Sequence, residues 1–105
     1  MSFELAASAQ QALEQILVQR AEDAGVLAAT NLHGRFQSVF ELIGALGAPG
    51  EQRLQLLPPD YRFVPKDRFV IVWRGAGPER PDHRVIVAIV DARRDLTEAL
   101  QWLQR

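Results

Sequence analysis

No cysteine occurs in this chain. That excludes a disulfide framework, thiolate chemistry and cysteine-ligated metal. Long apolar runs are also missing. The longest strictly apolar one, Val85–Val90, has six residues, whereas a bilayer-spanning helix needs about twenty. No basic segment followed by an apolar run opens the sequence, so no signal peptide is expected and the expected compartment is the cytoplasm. Lysine is almost absent: eleven of the twelve basic residues are Arg, and Lys66 is the exception. Arg grips planar anions through two parallel hydrogen bonds and stacks on aromatic rings, which favours defined contacts over a diffuse basic patch. The net charge is −1, so strong non-specific nucleic-acid binding is not expected. Repeats, low-complexity tracts and domain linkers are lacking too.

What is present fits one small domain. The 105 residues are 48% hydrophobic and 24% charged, ordinary for a globular protein with a single core. Charge is unevenly placed: residues 1–56 sum to −3 and residues 57–105 to +2. The most β-prone runs are Phe69–Trp73 and Val85–Val90, rich in β-branched and aromatic side chains. Gly75–His83 between them holds two Gly, two Pro and several charges, the composition of a solvated turn. Strands apolar on both faces are expected at the centre of a sheet, covered above and below.

The remaining chain must supply the cover. Phe3 and Leu5 alternate over Ser2–Ala6, which suits a short first strand. Ser8 and Gln11 match a capping box, followed by Ala9, Leu13, Ile16, Leu17 and Ala21 at helical spacing. Gly25 is expected to end this helix in a left-handed cap. A second helix is expected from Val26 to Leu46, with Leu32, Phe36, Val39, Phe40, Ile43 and Leu46 as its apolar stripe. Gly34 and Gly44 would suit close packing of the two antiparallel helices. Gly47–Gly50 is expected to stop the second helix and Glu51–Pro59 to connect. Tyr61–Pro65 alternates as a strand, with Pro65 favouring an edge position, and Lys66-Asp67 turns the chain. Asp95 and Glu98 open a last helix whose Leu96, Ala99, Leu100 and Leu103 face inward. The order is β-α-α-β-β-β-α. The expected fold is α+β: a helical hairpin on a mostly antiparallel sheet, a short C-terminal helix, and the helices segregated to one side.

This order resembles the ParE/RelE superfamily of bacterial toxins, and several stretches are similar to ParE. Phe3–Ile16 resembles the opening strand and first helix, with Ala12 where the family often has Asp. Glu22–Gly25 with Ala28-Ala29 resembles the turn between the helices, and Leu46–Gly50 the end of the second. Arg68–Arg74 and Val85–Leu96 resemble the two central strands, with Asp91 where the family usually has His. The resemblance covers almost the whole chain. It implies a toxin of a type II toxin–antitoxin system that inhibits DNA gyrase by binding. A cognate ParD-like antitoxin, whose C-terminal segment wraps the toxin, would neutralise it. It implies no metal, cofactor, membrane or direct specific nucleic-acid partner.

RelE-type relatives cut ribosome-bound mRNA, and the residues test that alternative. Attack by a ribose hydroxyl needs a proton acceptor, a donor and cationic stabilisation. The last eleven residues contain no Tyr, His or Lys, and Arg cannot act as a base near neutral pH. Tyr61 or His83 would have to serve. A member of the superfamily without toxin activity is a further alternative, suggested by Ala12 and Asp91. Under the gyrase reading the residues for target contact are Arg68, Arg74, Arg84, Arg93, Arg94 and Trp102. Arg68, Arg74 and Arg84 would form one basic face across the hairpin, or act as solubility charges at the sheet edge. Arg93 and Arg94 would meet an anionic partner, or pair with Asp91 and Asp95 for roughly 0–1 kcal/mol. Trp102 is either a core lid or an exposed partner anchor. Trp73 is expected in the core and His33 on the surface. Gly75-Ala76-Gly77 lacks the following helix that a phosphate loop needs.

Overall fold

The computed structural model describes residues 2–46, 58 and 60–104. Its elements run β1 (Ser2–Leu5), α1 (Ala7–Ala24), α2 (Val26–Leu46), β2 (Tyr61–Lys66), β3 (Phe69–Gly75), β4 (His83–Asp91) and α3 (Leu96–Leu100), closed by a 3-10 turn, Gln101–Gln104. The α+β class and the order match the sequence expectation. The expected helix stop at Gly47–Gly50, the side chain of Leu46 and all of the Glu51–Pro59 connector except Pro58 lie outside the described residues. Among the described residues no helix is long and apolar enough to cross a membrane.

The sheet order is β1-β4-β3-β2. The two most β-prone runs therefore take the two inner positions. Hairpins β2–β3 and β3–β4 are antiparallel, and β1 joins β4 in parallel. Pro65 sits on edge strand β2, opposite Val70, where its missing N–H breaks no inner ladder. Asp67 turns the β2–β3 hairpin with a φ of 55°, a region that Asp tolerates better than most residues. Its carboxylate accepts from Arg35 Nε of α2 at 2.9 Å, which ties the turn to the helix.

The helical hairpin covers one face of the sheet. Ala9 and Leu13 of α1 and Leu32, Phe36, Val39, Phe40 and Ile43 of α2 are buried against Val64, Phe69, Ile71, Trp73, Ile86 and Ile89. A single residue, Gly25, links the helices. Its φ of 94° is open to glycine at no steric cost, although its ψ of 164° is not the left-handed cap expected. Gly44 does not meet α1 as its sequence context suggested. It packs on β1, where an added Cβ would lie 3.1 Å from both Phe3 Cδ1 and the Ser2 carbonyl carbon. Gly34 faces open space, so close packing does not explain it.

The second face overturns the expectation that all helices lie on one side. Leu100 and Leu103 pack with Phe63, Val70, Val72, Val85, Val87, Ala88 and Val90, on the face turned away from the helical hairpin. Among the described residues the short C-terminal segment is thus the cover for that face. Asp95 caps it as expected, accepting from the N–H groups of Thr97 and Glu98. Strand alternation also shifts within β4. Val72 pairs with Ala88 and Trp73 with Ile86, which leaves Val87 as the extra residue of a bulge. Consecutive Val87 and Ala88 therefore both join the C-terminal cluster. The Val87 carbonyl accepts from Ser8 Oγ at 2.7 Å. Ser8 is thereby taken from its expected capping role, and α1 starts at Ala7 after Ala6, with no side-chain cap.

Candidate functional site

The six arginine and tryptophan positions fall into two groups at opposite ends of the sheet. β3 spans six residue steps from Phe69 to Gly75, or about 20 Å at the usual strand rise. Arg68 and Arg93 converge at the Phe69 end. Arg93 holds Asp91 by two side-chain bonds, Nε to Oδ1 at 3.1 Å and Nη2 to Oδ2 at 2.8 Å. Arg68 lies on the Phe69 ring at 5.4 Å and has Nε 3.6 Å from Asp91 Oδ2. Pairing with Asp91, the plainer of the two roles open to Arg93, is thus the one observed. Arg94 makes no ion pair among the described residues. It lines a cleft of about 190 Å³ with Ser8, Ala12, Ile89, Ala99 and Trp102.

At the other end, Arg74 is opposed to Tyr61 and Val85, whereas Arg84 is opposed to Gly75 and Phe3. Neighbours in a strand point to opposite faces, so Arg74 and Arg84 lie on different sides of the sheet. A single basic face made of Arg68, Arg74 and Arg84 is therefore not formed. Arg74 turns back on its own strand end, donating from Nη1 to the Gly75 carbonyl at 2.9 Å. With Tyr61, Asp60 and Gly75–Pro78 it borders an open hollow of about 560 Å³.

Trp102 is exposed, with 41% of its surface accessible, while Trp73 is in the core. The core-lid reading of Trp102 is thus set aside. β1 ends opposite Ile86. Among the described residues the Val87–Asp91 half of β4 therefore has no strand on that side, and the Arg94–Trp102 cleft opens there. Elsewhere among the described residues the large exposed apolar side chains are Val18, Val26, Leu27 and Leu42, all on the helical hairpin.

The Arg93 guanidinium, followed by the Arg93 backbone N–H, holds the Asp91 carboxyl at about 2, against an ordinary 3.8, and outweighs the opposing effect of burial. The folded value is the lower one, so the stabilisation is complete above the ordinary value and is lost as pH falls from about 4 to about 2. Arg93 is well exposed, so solvent screening discounts the contribution. Asp91→Asn should lower the urea midpoint slightly at neutral pH. It should also flatten the acid limb of the stability curve, and an unchanged acid limb would refute this.

One constellation escaped sequence reasoning. Ser2 Oγ lies 2.5 Å from His83 Nδ1, and His83 Nε2 lies 2.7 Å from Glu4 Oε1. Arg80 Nη1 stands 3.7 Å from the same oxygen. His83 is buried, with 8% of its surface accessible. The tautomer that satisfies both neighbours accepts at Nδ1 from the Ser2 hydroxyl and donates from Nε2–H to the Glu4 carboxylate. Both ring nitrogens are thereby occupied. The alternation of Ser2 and Glu4 in the first strand was the sole signal, and it gains meaning only once β1 lies beside β4. No protein-family model matches this chain, and no curated protein matches it in sequence.

Proposed function

We propose that the protein is the toxin of a type II toxin–antitoxin pair, acting in the cytoplasm by binding DNA gyrase and neutralised by a ParD-like antitoxin. The observation that carries this reading is the arrangement of the C-terminal end. There Trp102 stands exposed beside Arg94, over a cleft that runs along the half of β4 that has no strand partner on that side among the described residues. Aromatic and Arg side chains are the residues most enriched among binding anchors. The element order and the ParE-like stretches support the same reading. Endoribonuclease action has weaker support, because His83 is buried with its ring held by Ser2 and Glu4, away from a ribose hydroxyl, and among the described residues Tyr61 has Arg74 alone opposite it.

The test has two arms, gyrase supercoiling with a readout for trapped cleaved DNA and mRNA integrity in a translation extract. Inhibited supercoiling with intact mRNA is expected. Arg94→Ala and Trp102→Ala are each expected to weaken inhibition by roughly fivefold or more, the threshold of an interface residue costing over about 1 kcal/mol. Cut mRNA that is spared by Tyr61→Phe would replace this reading with the RelE-type one. Silence in both arms would replace it with an inactive member of the superfamily.

A further inference from the structure

We propose that Ser2, His83 and Glu4 form a nucleophile–base–acid relay able to transfer acyl groups from small activated esters. This goes beyond the gyrase reading and does not depend on it. Three features of the β1 edge carry the inference. The first is the chain of contacts: with Nε2–H donated to Glu4, Nδ1 is the acceptor for the Ser2 hydroxyl, so the imidazole stands between a serine and a carboxylate. That is the order of contacts that activates a serine, recognised by roles and not by chain position. Here the two ring nitrogens exchange roles relative to the familiar proteases, with Nδ1 toward serine and Nε2 toward the acid.

The second is access. Ser2 is exposed while His83 is buried, so the nucleophile meets solvent and its base is shielded. The third is an oxyanion donor. Ser2 and Ala6 donate their N–H groups to the carbonyls of Asp82 and Ile86. By strand alternation the N–H of Phe3 then points away from β4, and β1 is the outermost strand. Ser2, Glu4 and His83 share the face turned away from α2, so the groove of about 270 Å³ that Ser2 and Phe3 form with Glu41, Gly44 and Ala45 lies on the other side of β1. The Ser2 hydroxyl therefore meets small esters from open solvent.

In the reaction Ser2 Oγ bonds to the ester carbonyl carbon and its proton passes to His83 Nδ1. The carbon–oxygen bond to the leaving group breaks, and the departing oxygen takes that proton. Water then attacks the acyl-serine by the same path, releasing the carboxylic acid and restoring the hydroxyl. Glu4 is the positioning residue: it fixes the tautomer and stabilises the imidazolium. Arg80 steadies Glu4 from outside.

A fluorophosphonate probe tests this directly on the purified protein. It forms an Oγ–phosphorus bond, expels fluoride and passes the serine proton through His83 to solvent. The expected result is one adduct, mapped to Ser2 by peptide mass spectrometry. His83→Gln and Glu4→Gln should each slow labelling by about 100-fold or more, the usual contribution of a positioned base. Glu4 is half exposed, so Glu4→Gln should keep the wild-type melting curve, which separates positioning from folding. No adduct at Ser2, or adducts formed equally fast in wild type and Glu4→Gln, would overturn the proposal.

Discussion

Phe36→Ala is expected to lower the free energy of unfolding by about 3–5 kcal/mol, the range for deleting a buried aromatic ring. Phe36 is fully buried. Its ring stacks on Phe40 at 6.1 Å and meets the Phe69 ring edge-on at 5.4 Å. One side chain thus joins consecutive turns of α2 to the start of β3. Aromatic pairs add about 0.5–1.5 kcal/mol beyond the area they bury, so two pairs push the loss toward the top of the range. A domain of this size has roughly 5–15 kcal/mol in all, so the variant should sit near the edge of folding at room temperature. The check is the urea midpoint at unchanged slope, beside Leu42→Ala as a control. Leu42 is on the same helix with 45% of its surface accessible, and its loss should stay within about 0.5 kcal/mol. Equal losses in the two variants would mean that α2 is not anchored through this ring.

Those residues also show what was legible in the sequence. Leu32, Phe36, Val39, Phe40 and Ile43 recur at helical spacing among polar neighbours. Period and burial therefore agree, and the helix runs from Val26 to Leu46 as its pattern implies. The strand pair at the centre was equally legible, because a run such as Val85–Val90 tolerates water on neither side. The same property hid what covers it. In an alternating strand the inward residues name their face, but here all six are apolar. The bulge at Val87, which puts Val87 and Ala88 on one face, left no trace in the pattern. Nor could the pattern say which face the C-terminal helix would take. Ser8 misled for a related reason. Its spacing to Gln11 suits a local cap, but a carbonyl from 79 residues away takes its hydroxyl, and tertiary contact overrides local preference.

The candidate sites were less legible than the fold because they depend on register. Arg93 beside Asp91 is a local pair, two residues apart, and the sequence offered it directly. Arg74 and Arg84 looked like one basic face while their strand positions were unknown. Register separates them, since opposition to Val85 and to Gly75 places them on alternate sides. The Ser2–His83 contact bridges 81 positions. It needs a parallel partner for β4, and two short alternating residues in β1 do not announce that pairing.

Leu100→Ala should expose the consequence of covering one sheet face with so little chain. Leu100 has 2% of its surface accessible, and truncating a buried Leu costs about 2–5 kcal/mol. The helix it belongs to has five residues. An isolated helix that short is unstable in water, so α3 persists through the Asp95 cap and the burial of Leu100 and Leu103. With Leu100 gone, the segment has less to gain by docking than it loses in chain freedom, about 1–2 kcal/mol of backbone entropy per residue. The expected outcome is detachment of residues 96–104 in place of a static cavity. Val70, Val72, Val85 and Val90 would then face water as one apolar patch, a surface that invites association. Hydrogen exchange should show fast exchange at 96–104 with β3 still protected, and an environment-sensitive dye should bind the variant but not the wild type. Uniform loss of protection across the sheet would instead mean that the C-terminal segment and the central strands open as one unit. Under the proposed gyrase reading, Trp102 provides a functional readout. Because it rides on the same segment, Leu100→Ala should on that reading weaken inhibition at least as much as Trp102→Ala does.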